Sequence, residues 1–329
     1  VEVPAVASSQ GRGLAEYAVA EAAPAGAAAA PAAVLESSFR AEFLAGQDSF
    51  RFRNYSARLA EGDLTIAEVR DLFGDRVCAS IEDGVCRPTA QALFWMEQMN
   101  AAMAGGRCVG FTVLSASLFD HLVEPEVFTP GAPVTWDVEK DRPVMREIAQ
   151  DWVMQVTDEV LQATVSGTPR QIIEALLTLG EPVDLSIFGR RGGGHSMLAY
   201  GVENLGEGDY QIQVYDSNWP GEERFVEVDY EANTWRYEME AQRSGGKAVV
   251  WEGDARTWSL SYVPLSVYRE PMTCPFCYET AAGAAVEGEG GLSLVSLSGT
   301  GGQLQVTDAE GHRLGHFGDQ YVNEIPGAE

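Results

Sequence analysis

Apolar positions along this 329-residue chain change their period near Gly180. Before it they recur at spacings of three and four, as on a helix face. After it they fall in short runs rich in aromatic and β-branched residues, as in strands. Thr65-Ile66-Ala67-Glu68 reads as a capping box, with Gly74 as the stop, and predicts a short helix between them. Thr89 caps a second helix running to about Ala104 and ended by Gly105-Gly106, with Leu93, Met96, Met99 and Met103 as its apolar stripe. Arg107 to about Leu122 reads as a largely apolar, buried helix. A longer one spans about Val144 to Thr164, with Ile148, Trp152, Val153, Val156 and Val160 inward. Thr168-Pro169-Arg170-Gln171 is another capping box, with Pro at the first helical position, and Gly180 closes that helix.

The strand-like segments are Ser196–Val202, Tyr210–Tyr215, Arg224–Asp229, Trp235–Met239, Ala248–Trp251 and Trp258–Val263, with turn signals between them. Helices first and strands second predict an α+β fold, a helical lobe packed on an antiparallel sheet. Three regions follow: an Ala/Pro-rich lead over 1–37, a main domain over 38–272, and a C-terminal β segment over 273–329. The lead holds 14 Ala before residue 35 and reads as a linker or an ordered arm. In the C-terminal segment Leu292–Leu297 and Leu304–Thr307 alternate, with a turn at Asp308–Gly311. It is short for an independent domain and reads as one cut short.

Composition narrows the partners. Lys plus Arg number 22 against 49 Asp plus Glu, a net charge of −27. Such a surface disfavours nucleic acid and anionic membranes. The charge also favours basic over acidic substrates. Hydrophobic residues make up 45%, enough for a sizeable core. No apolar run reaches about 18 residues, so no membrane-spanning helix is expected. The absence of an initiator Met and of a basic leader suggests a processed form or a fragment.

The five cysteines give two local pairs and one remainder. Cys78 and Cys86 flank an Asp-Gly turn, and Cys274 and Cys277 form a CPFC. Two disulfides in a secreted or cell-surface protein is the main expectation. A thioredoxin-like redox site or a four-cysteine zinc site are the alternatives, and no cofactor is expected. Cys108 is left as the odd thiol at a helix start. There the unpaired N–H groups and the helix dipole stabilise a thiolate, though a small buried hydrophobe is the plainer reading.

Of four histidines, His121, His312 and His316 read as surface residues. His195 follows Gly192-Gly193-Gly194 and opens a strand, with open space in front of the ring. A hairpin turning within Asn204–Asp209 brings Asp216 or Asn218 beside His195. The two are two residues apart and share a face, so parity does not choose between them. Either could hold one imidazole nitrogen while the other nitrogen faces a thiol. Asp216-Ser217-Asn218-Trp219-Pro220-Gly221 is also a good turn sequence. Calcium binding by Glu203–Asp209 or by Asp216-Ser217-Asn218 is a further reading, although the spacing matches no calcium loop.

The ordered set GGRCVGF, GGGHSMLAYGV and YDSNWPG resembles the papain-like cysteine peptidase superfamily, over roughly residues 50–265. More narrowly it looks like a group of secreted bacterial proteins that share an FGDxVC segment, a helix ending in GG before the cysteine, and a YDxNxPG strand end. The resemblance implies Cys108 as nucleophile, His195 as general base and Asp216 as orienter, with Asn218 as its competitor. It implies a peptidase or acyl-transfer enzyme acting on a protein or peptide. One departure stands out. Such enzymes usually carry a Gln about six residues before the cysteine as oxyanion donor, and residue 102 is Ala. Gln98 and Asn100 are the nearest amides. The competing expectation is a non-catalytic structural or adhesive module in an extracellular assembly, since a fold does not fix a function.

Overall fold

The computed structural model describes residues 35–56, 62–190, 192–240, 249–277, 305–307, 311–317 and 320–324. The chain divides into one compact unit over 1–278 and a second over 279–329. The lead over 1–34 and the segment 292–297 lie outside the described residues.

The first helices start and stop where their side chains dictate. Helix α1 (Ile66–Phe73) opens on the Thr65/Glu68 capping box, and the Gly74 N–H closes it on the Arg70 carbonyl. Helix α2 (Ala90–Ala102) is capped by Thr89, whose hydroxyl accepts the Ala92 N–H. Its inward face is set by Ala92, Met99, Asn100 and then Met103, so Leu93 is exposed rather than part of the stripe. Asn100 decides this orientation, because its amide bonds both the N–H and the carbonyl of Leu64. Helix α3 (Cys108–Phe119) is buried along nearly its whole length.

The long helix expected after Val144 is two. Helix α4 (Arg142–Val153) is capped by Asp141, and α5 (Asp158–Ala163) is short. The break is at Thr157, which is extended. Its hydroxyl donates to the Met154 carbonyl at 2.7 Å and lies 3.2 Å from Met272 Sδ, a local alternative to the helical ladder. Helix α6 (Pro169–Leu179) has the expected capping box, first-turn Pro and left-handed Gly180 stop.

The strands form a nine-stranded antiparallel sheet. In chain order these are β1 (Phe39–Arg40), β4 (Val165–Gly167), β5 (Val183–Phe188), β6 (Gly194–Gly206), β7 (Asp209–Tyr215), β8 (Arg224–Asp229), β9 (Thr234–Glu240), β10 (Val249–Asp254) and β11 (Leu260–Pro264). The spatial order is β10-β9-β8-β7-β6-β5-β11-β4, with β1 also pairing with β6. A separate hairpin, β2 (Cys78–Glu82) and β3 (Val85–Pro88), turns at Asp83-Gly84, both at positive φ. Disulfides join Cys78 to Cys86 and Cys274 to Cys277, which excludes the zinc reading, and Cys108 is free. In the second unit, β12 (Gln305–Thr307), β13 (Arg313–Phe317) and β14 (Gln320–Asn323) form a small antiparallel sheet. No single described helix is long and apolar enough to cross a membrane.

Alternation along β6 places the two sides of the molecule. Leu198 and Tyr200 join a core with α1, α2 and α3, while Met197 and Ala199 join a core with α6. Phe43 stacks on Tyr200 and Tyr215 at 5.1 and 5.7 Å and meets Phe119 of α3 at 5.4 Å, tying helix to sheet. Helices α3 and α4 cross closely at Gly110. A Cβ there would lie 1.9 Å from the Ile148 carbonyl oxygen, so only glycine permits this approach. Phe276, inside the CPFC loop, packs between Phe73 and Trp95.

Candidate active site

Cys108 is the first residue of α3, half-buried and reduced. The residue before it, Arg107, is fully buried and fixes the helix start. Its guanidinium donates to Asp63 Oδ1 at 2.5 Å and to the Tyr55 carbonyl at 3.3 Å, and lies 4.6 Å from the Tyr55 ring centre. A buried cation so held anchors the backbone at the start of α3, where Cys108 sits.

His195 enters from the second residue of β6, opposite Ile187 of β5. Its Nε2 lies 2.8 Å from Asp216 Oδ1. A carboxylate only accepts, so Nε2 carries the proton and donates it. Asp216 follows the last residue of β7. It is fully buried and accepts twice more, from the Tyr237 hydroxyl at 2.6 Å and from the Asn218 N–H at 2.8 Å. Asn218 Nδ2 stands 3.4 Å from the same Nε2. That nitrogen has one proton to give, and the charged acceptor 2.8 Å away takes it. The competition between Asp216 and Asn218 is thus a division of labour. Asp216 holds the ring, and the Asn218 backbone holds Asp216.

The Cys108 side chain interacts with the same imidazole. Burial by itself pushes the His195 pKa down. The Asp216 charge and hydrogen bond, with the contribution of Cys108, outweigh it and raise the pKa to about 10. Asp216 moves the other way. Burial would raise it, but the His195 charge, the bonds from His195 and Tyr237, and the Asn218 N–H hold it below the usual carboxylate value.

Hairpin register delivers this meeting in a less simple way than a plain ladder. Strands β6 and β7 contain bulges at Ala199/Gly201 and Asn204/Gly206, and the ladder closes with Leu198 opposite Tyr215. The bulges shift the pairing on the way from the turn to the site. Next to His195, Ser196 points to the other side. Its hydroxyl bonds Asp184 and lies 3.1 Å from Thr112 Oγ1, one turn into α3 from Cys108. Tyr268 donates to the second Asp184 oxygen at 2.6 Å. Burial raises the Asp184 pKa to about 6, against the hydrogen bonds and the His195 charge. This network ties the His195 strand to the Cys108 helix.

Other expected residues lie elsewhere. Both polar atoms of the Asn100 amide are bonded to Leu64, which anchors the side chain there. Gln98 is on the exposed side of α2. The stretch Glu203–Asp209 is a hairpin end with Gly206, Glu207 and Gly208 at positive φ. No group of three or more His, Cys, Asp or Glu among the described residues is placed to hold a metal ion. Glycines 192 and 193 both have positive φ, and Trp251 lies against Gly189 and Gly193, in the loop that leads to His195. His121 is exposed, 3.6 Å from Glu124.

Three contributors carried no sequence signal. Tyr237 sits in an ordinary alternating strand, and Trp251 in another. Asn54, in an unpatterned stretch, accepts the Arg107 N–H through Oδ1 at 2.8 Å and donates its own N–H to the Ser217 carbonyl at 2.9 Å. No family model matches the chain, and neither a curated protein nor a solved structure matches it.

Proposed function

We propose that this chain is a secreted, papain-like cysteine peptidase or a related acyl-transfer enzyme, with Cys108 as nucleophile, His195 as proton carrier and Asp216 as orienter. One observation carries the reading. A reduced cysteine at a helix start interacts with a buried histidine whose Nε2 is held 2.8 Å from a buried carboxylate. A structural cysteine needs no such partner.

The chemistry follows from proton positions. With His195 protonated and Cys108 as thiolate, sulfur attacks the carbonyl carbon of an amide or ester. The C–S bond forms as the C=O π pair moves to oxygen. On collapse, the imidazolium gives its proton to the leaving amine or alcohol, leaving an acyl-thioester and neutral His195. Water, or an acceptor amine, then loses a proton to His195 as it attacks the thioester, and the thiolate departs. Asp216 remains ionised throughout and keeps the ring aligned and its charged form favoured. The net charge of −27 favours basic over acidic substrates.

An activated ester tests this without knowledge of the natural substrate. Stopped-flow mixing with p-nitrophenyl acetate is expected to release a burst of p-nitrophenol equal to the enzyme, with the acetyl group mapped to Cys108. The burst is lost in Cys108→Ala. A folded protein that forms no adduct at Cys108 supports the non-catalytic extracellular module instead.

A further inference from the structure

We infer that Asn54 is the side-chain oxyanion donor of this site, paired with the backbone N–H of Cys108; the inference rests on the acyl-transfer reading. An acyl-transfer site needs donors aimed at the oxygen that gains charge. Of the amides nearest Cys108 in sequence, Asn100 is anchored on Leu64 and Gln98 lies on the exposed side of its helix.

Asn54 comes from the segment before α1, and three contacts place it. Its backbone N–H donates to Ser217, next to Asp216. Its Oδ1 accepts the N–H of Arg107, next to Cys108. Its Nδ2 would lie 3.2 Å from a Cβ at Gly106, which has φ +127° and leaves that space empty. The orientation of the amide is fixed by chemistry. The Arg107 N–H demands an oxygen, so the NH2 group faces the other way.

Among the described residues Nδ2 has no hydrogen-bond acceptor, and Asn54 is half-buried. Helix α3 carries no side-chain cap, so the N–H of Cys108 at its first position is also unspent. Two unspent donors therefore stand at the start of the helix that carries the thiol. One is held by the helix axis, and the other by bonds to both halves of the constellation. Asn54 does not tune the thiol; it waits for the oxyanion.

The experiment compares two reactions of the same thiolate. Alkylation by iodoacetamide is a displacement at saturated carbon and forms no oxyanion, whereas acylation by p-nitrophenyl acetate does. Both consume thiolate, so the ratio of acylation to alkylation rates cancels any change in ionisation. In Asn54→Ala and Asn54→Asp, each shown folded by its thermal transition, the ratio is expected to fall about 10²-fold. Asp keeps the acceptor for Arg107 but adds a charge, and Ala adds no charge but loses the acceptor; the donor Nδ2 is the one feature both variants lose, so a fall in both assigns the effect to Nδ2. An unchanged ratio in Asn54→Asp overturns the inference while leaving Cys108 acylation, and the enzyme reading, intact. A wild-type protein that alkylates but never acylates overturns both.

Discussion

A histidine that keeps its proton in a dry site is an unusual expense of stability, and at His195 the charged partners outweigh the desolvation. The folded pKa is raised to about 10 from an ordinary 6.5. By linkage, the pair stabilises the fold fully below pH 6.5, and that contribution disappears as pH rises through about 10. The thermal midpoint of the wild type is therefore expected to fall between pH 7 and 10. In His195→Ala the same stretch of the pH–stability curve is expected to flatten. Melting curves at several pH values decide this, and a wild-type curve as flat as the variant's contradicts the proton assignment. At this scale much was legible in the sequence. A helix start points to Cys108 and a strand start to His195, while the strand end offers Asp216 and Asn218 without choosing between them. Asn54 and Tyr237 were not legible, because they act through hydrogen bonds made across the fold, which no local pattern records.

Among the elements, the crossing of α3 and α4 bears most on the site, because α3 carries Cys108 at its tip. Gly110→Ala gains about 1 kcal/mol of helix propensity. It also drives a Cβ to 1.9 Å from the Ile148 carbonyl oxygen, which belongs to a packed helix and cannot rotate aside. Overpacking of this kind costs about 1–3 kcal/mol and outweighs the propensity gain. Urea unfolding is expected to show a lower midpoint with an unchanged slope; a neutral or stabilised variant contradicts the close crossing. Caps made the helix ends readable, at Thr65, Thr89, Thr168 and Gly180, since each cap is a local hydrogen bond. The break at Thr157 was hidden because the apolar stripe continues across it, and its hydroxyl bonds Met154 and meets a sulfur from Met272, far along the chain. Of the apolar stripe along α2, Met96, Met99 and Met103 face the core and only Leu93 is exposed, with Asn100 bonded to Leu64 on the inward face. Strand β5 was missed because, buried on both sides, it shows no simple alternation.

For the first unit as a whole, the arrangement places a helix tip from one side against a strand start and a strand end from the other. The Phe43 stack and the Thr112–Ser196–Asp184–Tyr268 network hold those two sides together. The order of helices and then strands made this division visible in the sequence. The sheet order was not, since β11 returns between β5 and β4 and only the three-dimensional pairing reveals it. The central claim is that this junction activates one thiol, and the most direct measurement is the rate of Cys108 alkylation by iodoacetamide at pH 6 in wild type, His195→Ala and Asp216→Asn. An ordinary thiol of pKa about 8.5 is almost wholly protonated there. The account predicts fast labelling in the wild type, a slowing of about 10²-fold in His195→Ala, and a smaller loss in Asp216→Asn, where an amide still orients the ring. Wild-type labelling as slow as that of an ordinary thiol, and indifferent to both substitutions in folded protein, would contradict it.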